Sequence, residues 1–102
     1  DDEYARDILV ATKTDRLSAK ELSEEYDMSR PTVSRRVTRL VEQGLLEEYT
    51  HVDPGGRHYS EYEARLERVE VLLQAEGFDV QIDVRPDPAD RITSIFEEMR
   101  GD

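Results

Sequence analysis

The sequence has no cysteine, no tryptophan and only two lysines, Lys13 and Lys20. Without cysteine there is no disulfide, no thiolate metal site and no thiol redox sensor. The longest apolar runs fall far short of a bilayer span, and no signal peptide or lipidation motif is present, so the expected address is the cytoplasm, with no membrane partner. The chain opens on Asp1 rather than on a methionine, which leaves room for an upstream segment. Its 102 residues suffice for one domain with a modest core and leave no room for a separate catalytic domain.

Acid is what the chain has in excess. Asp and Glu number 25 against 14 Lys and Arg, for a formal charge of −11, and twelve of the basic residues are Arg. Charged residues make up 38% and hydrophobic ones 36%, but the apolar positions are periodic, which argues for folding over disorder. One stretch runs against the acidic background. Ser29 to Leu40 holds Arg30, Arg35, Arg36 and Arg39 and no acid. Val33, Val37 and Leu40 keep the rhythm of one helical face, and Pro31, Ser34, Arg35, Thr38 and Arg39 fall on or beside the opposite one. One face is set to pack and the other to meet an anion.

The flanking residues supply the frame. Ala5, Ile8, Leu9 and Thr12 form the stripe of a short first helix, and Lys13 to Arg16 reads as a loop. Ser18 and Glu21 have capping-box spacing and Leu17 and Leu22 that of a hydrophobic staple, so a second helix is expected from Ser18 to about Tyr26. Ser29 then caps a third helix, with Pro31 in its first turn and Gly44 at its end. Two helices so closely spaced, the second basic on its outer face, make a helix-turn-helix over 18–44. Leu45 to Val52 reads as a strand, Asp53-Pro54-Gly55-Gly56 as a tight turn and Arg57 to Tyr62 as a returning strand, which together form a wing over 45–62.

The segment Ser18 to Leu46 resembles the winged helix-turn-helix of archaeal and bacterial transcription regulators of the ArsR and MarR type, and the acidic, arginine-skewed remainder resembles their haloarchaeal members, among which oxidative-stress regulators are known. The resemblance implies a dimeric, sequence-specific DNA binder. It is specific from Ser18 to Tyr62, and the absence of every cysteine departs from metal-sensing ArsR proteins.

Beyond the wing, Tyr62, Leu66, Val69 and Leu73 fit a helical heptad, while Val69, Val71 and Leu73 also alternate as in a strand. Phe78 to Val84 alternates strictly and needs a partner, and Gln74-Ala75-Glu76-Gly77 suits a hairpin loop, so a hairpin is the preferred reading and a helix the alternative. Asp87, Pro88 and Asp90 then introduce a fourth helix with Ile92, Ile95, Phe96 and Met99 on one face. The expected fold is α+β: a winged helix-turn-helix with a β-wing, an added C-terminal hairpin and a C-terminal helix, as one domain over 1–102, with 63–100 involved in dimerisation.

The candidate DNA-binding residues follow from position. Arg30, Ser34, Arg35 and Thr38 are placed to read bases, since the planar arginine fork matches a guanine edge. Ser29, Thr32 and Arg39 lie where phosphate contacts are expected, and Pro31 belongs to the same DNA-facing surface. Arg36 is nearer the packed face, where it either pairs with an acid or reaches the DNA backbone sideways. Arg57 on the wing suits a phosphate or the minor groove, and His58 a phosphate. His51 and His58 with Asp53 form only a weak metal or pH-switch pattern, so no cofactor is expected. For the homodimer interface, Ile8, Ile92, Ile95, Phe96 and Met99 are the candidates, because two half-sites on a pseudo-palindrome give the affinity that one does not.

An enzyme is the rival from another class, but no nucleophile elbow, phosphate loop or metal pair surrounds Glu47, Glu48, His51 or Asp53. A winged-helix interaction scaffold is the stronger alternative. Against it stand Arg30, Arg35 and Arg39, free of acids on the third helix. The expected function is a transcription regulator, mainly a repressor, that binds double-stranded DNA with salt cations held near its acidic flanks.

Overall fold

The computed structural model describes residues 2–86. The fold is α+β, a winged helix-turn-helix followed by a separate two-stranded hairpin. Helix α1 spans Asp2–Ala11, strand β1 Leu17–Ser18, helix α2 Ala19–Tyr26 and helix α3 Arg30–Glu42. Strands β2, Leu46–Val52, and β3, His58–Ala64, form the wing, and β4, Leu66–Gln74, pairs with β5, Gly77–Val84. The expected C-terminal helix, with Ile92, Ile95, Phe96 and Met99, lies outside the described residues.

Local chemistry sets the helix ends. Glu21 N–H donates to Ser18 Oγ at 3.2 Å and Ser18 N–H to Glu21 Oε1 at 2.9 Å, so the capping box closes from both sides. Asp27 then takes the left-handed conformation and turns the chain toward α3. At the far end of α3, Gly44 has φ +77°, Leu45 N–H reaches the Leu40 carbonyl and Gly44 N–H that of Val41, both at 3.0 Å. This is a Schellman ending, which releases the chain into β2.

The core lies under α3. Ile8, Leu22, Val33, Val37, Leu40 and Leu46 are all buried, joining one face of each helix to the start of the wing. Thr12 is buried too, with its hydroxyl donating to the Ile8 carbonyl at 2.8 Å and its own carbonyl accepting from Ala64 N–H. That contact ties the end of α1 to β3.

Three details depart from expectation. Leu17 and Ser18 form a short edge strand on β3, opposite Tyr62 and Glu61, where the sequence suggested only a staple and a cap. The wing strands are shifted, starting at Leu46 and running on from His58 to Ala64 rather than ending at Tyr62. Ile8 is fully buried in the domain's own core, so it is withdrawn from the dimer interface.

The hairpin reading of 63–73 holds and the heptad reading does not: Val69, Val71 and Leu73 pair with Ile82, Val80 and Phe78. Glu67 forms an irregularity in β4 between Leu66 and Arg68, and the loop is the two residues Ala75 and Glu76. The hairpin's base is joined to the wing by side chains. Arg85 reaches Glu47 at 2.8 Å and Glu63 at 3.2 Å, and the Tyr49 hydroxyl donates to the same two carboxylates at 2.7 and 3.2 Å. The Arg16 guanidinium stacks 3.6 Å from the Tyr49 ring centre, and Arg65 donates to the Arg85 carbonyl.

Candidate nucleic-acid interface

Helix α3 presents its outer face without obstruction. Arg30, Pro31, Ser34, Arg35, Thr38 and Arg39 are exposed, while Val33 and Val37 behind them are buried. Ser29 caps the helix: Thr32 N–H donates to its Oγ at 3.2 Å, and its hydroxyl donates to Thr32 Oγ1 at 2.8 Å. The Thr32 hydroxyl also accepts from Arg35 at 3.4 Å, a long contact that holds the guanidinium beside the first turn. In an acidic chain this first turn carries no acid, so the positive end of the helix dipole is left for an external anion.

The arginines are available. Among the described residues, Arg30, Arg35, Arg39 and Arg57 make no ion pair, whereas Arg16, Arg68 and Arg85 do. Two surface hollows meet at Ser34. One, along α3, is lined by Ser34, Arg35, Arg36, Thr38, Arg39 and Glu42. The other is a cleft of about 620 Å³ between α2, α3 and the wing, where Arg30 and Ser34 face Arg57, His58 and Lys20. The structure thus joins the helix residues to the wing residues across one continuous surface.

Asp53 also borders this cleft, but its role is to build the wing. Its Oδ1 accepts from Arg57 N–H at 2.9 Å and its carbonyl from Gly56 N–H at 2.9 Å, with Gly56 at φ +82°. These bonds fix the wing tip and so the place of Arg57. His51 turns away from the tip. Its ring stacks on Tyr59 and its Nε2 lies 2.8 Å from Glu61 Oε1, a close contact without hydrogen-bond alignment. His51, His58 and Asp53 are not gathered into a metal site; among the described residues no group of three or more acids and histidines is placed to hold one.

Residues 1–47 match the family described as winged helix-turn-helix DNA-binding. No curated protein matches the chain. The match covers α1 to the start of β2, and the wing that completes the winged helix is contributed by β2 and β3 beyond it. With the exposed arginine face of α3, the match supports DNA binding by this unit. No helix among the described residues is long and apolar enough to cross a membrane.

Two residues differ from the sequence reading of the winged helix. Lys20, one of only two lysines, enters the cleft from the exposed first turn of α2. Its place follows from the angle between α2 and the wing, which no local pattern records. Arg36 pairs with no acid among the described residues; its guanidinium lies 5.9 Å from the Tyr4 ring centre of α1. It braces α1 against α3 through a cation–π contact and is half-buried there.

Proposed function

We propose that the protein is a sequence-specific DNA-binding transcription regulator, acting mainly as a repressor, and that it binds a pseudo-palindromic operator as a homodimer. The observation that carries this reading is the outer face of α3, where Arg30, Arg35 and Arg39 stand exposed and unpaired beside a wing that offers Arg57 and His58. In the proposed complex α3 enters the major groove, Arg30, Ser34 and Arg35 meet base edges, and Thr38 lies one turn further on. Ser29, Thr32, Arg39 and Lys20 meet phosphates, and the wing follows the neighbouring backbone or minor groove. Two copies would set their α3 helices about 34 Å apart, one turn of the duplex.

This reading assigns the protein no catalysis and no cofactor. Its acidity suits molar salt, where surface repulsion is screened within about 3 Å and cations stand ready to populate the interface with DNA. That condition, together with the likeness of Ser18–Leu46 to ArsR- and MarR-type regulators, supports a haloarchaeal, cytoplasmic setting in which oxidative stress is one candidate signal.

A map of the DNA bound in cells, with and without oxidant, identifies the operator and tests the signal. On that operator, Arg35→Ala is expected to weaken binding by about 1–3 kcal/mol and to relax preference at one base position. Equal weakening on every sequence would move Arg35 to the phosphate contacts. No preference for any sequence in the wild-type protein would favour the scaffold reading.

A further inference from the structure

The β4–β5 hairpin is amphipathic and its apolar face is open. Strand register places Val69 opposite Ile82, Val71 opposite Val80 and Leu73 opposite Phe78. Because side chains alternate across a strand, these three pairs share one face. All six residues are more than half exposed, up to 78% at Leu73 and 75% at Phe78 near the tip, and Val84 extends the strip toward the base. The opposite face carries Arg68 across from Asp83, Glu70 from Gln81 and Leu72 from Asp79. No strand of the three-stranded sheet joins the hairpin, and a lone two-stranded hairpin is barely stable in water.

We propose that this face is where a second copy of the chain docks, hairpin on hairpin, and that it forms the interface of the homodimer proposed above, on which this inference rests. Charge selects the occupant. Two copies of a chain of −11 repel over most of their surface, whereas this strip, among the described residues, is a broad patch that brings no like charges together when it meets itself. Area agrees. Taking roughly 90 Å² on average for the six residues that are more than half exposed together with the less exposed Val84 gives roughly 600 Å² per hairpin and about 1,200 Å² over two copies, the lower edge of stable specific interfaces. A patch of that size is at the upper end of what a monomer leaves open. The cross-strand pairs are also alike from strand to strand, Val with Ile, Val with Val and Leu with Phe, so a two-fold-related copy presents matching chemistry at each position.

The test uses the full chain in molar KCl without DNA, so that failure to associate and failure to read DNA are seen separately. Light scattering after size exclusion is expected to give twice the 11.8 kDa of one chain for the wild type, and one chain for Val80→Lys with an unchanged circular dichroism spectrum. Because the chain has no cysteine, a single introduced one reports position without interference. Val80→Cys is expected to give a covalent pair with a short bismaleimide, and Gln81→Cys, on the charged face, is not. A wild type of single-chain mass would overturn the proposal, the result expected if residues 87–102 of the same chain cover the strip instead. So would a Val80→Lys variant that stays dimeric, or equal cross-linking from both cysteines.

Discussion

Arg85 Nη2 lies 2.8 Å from Glu47 Oε2, so the residue that follows β5 is held by a strand of the wing 38 positions earlier in the chain. Both side chains are mostly buried, and Glu63 shares the arginine at 3.2 Å. Truncation at Arg85 leaves two neighbouring carboxylates with only the more distant Arg16, at 3.7 Å from Glu63, to offset them. Arg85→Ala should therefore cost about 1–2 kcal/mol, the scale of a charge-assisted hydrogen bond, and lower the melting temperature by roughly 5–10 °C in low salt. A double variant that also carries Glu47→Gln should recover part of the loss. An unchanged melting temperature would make the contact a solvated one with no part in holding the hairpin.

The same cluster carries a dependence on alkaline pH. The Tyr49 hydroxyl is held above its ordinary value of 10.0, first by its hydrogen bond to Glu47, then by burial and by the charge of Glu47 and Glu63. Tyr62 shifts the same way, chiefly through burial. The folded protein therefore keeps these protons where the unfolded chain loses them. Their contribution to stability is complete below pH 10 and is lost as pH rises through the folded values. Melting temperatures measured above pH 10 should fall, and Tyr49→Phe should remove part of that fall while its phenol signal disappears from the 295 nm titration.

Ile8 separates core from interface. It is fully buried among Leu22, Val33 and Val37, and Ile8→Ala should cost about 2–5 kcal/mol through lost burial and a residual cavity. The mass of the folded fraction should not change. A variant with altered association and unchanged stability would return Ile8 to the subunit interface.

The elements written plainest in the sequence are those fixed by neighbours a few residues apart. Ser18 with Glu21, Ser29 with Pro31, and Asp53-Pro54-Gly55-Gly56 each specify a local geometry, and each forms where its spacing indicated. Val33, Val37 and Leu40 gave the inner face of α3 and thereby the outward direction of Arg30, Arg35 and Arg39. What depends on distant partners was not legible. Two residues are too few to show a strand's alternation, so β1 is visible only through its pairing with Tyr62 and Glu61. The choice between helix and strand at 63–73 turns on β5, because the same valines satisfy both periods until a partner strand is supplied. The cluster of Arg16, Tyr49, Glu47, Glu63 and Arg85 is drawn from four segments, and each member alone reads as ordinary surface charge or an ordinary aromatic.

Salt should distinguish this protein from a basic repressor. Each phosphate neutralised by a cation releases counterions and gives a slope of about −0.9 in log K against log salt, so the three phosphate-facing cations Lys20, Arg39 and Arg57 would give about −3. The remainder of the chain is acidic, and its carboxylates must keep or take up cations when brought near DNA, which acts in the opposite sense. Titrations of operator DNA across a range of KCl concentrations should therefore give a shallow or even reversed slope. Replacing Glu42, the acid at the end of the α3 groove, with Gln should make the slope steeper by removing one site of cation uptake. A wild-type slope near about −3 would mean that the acidic flanks stay clear of the DNA and that the basic face binds as it would in a neutral protein.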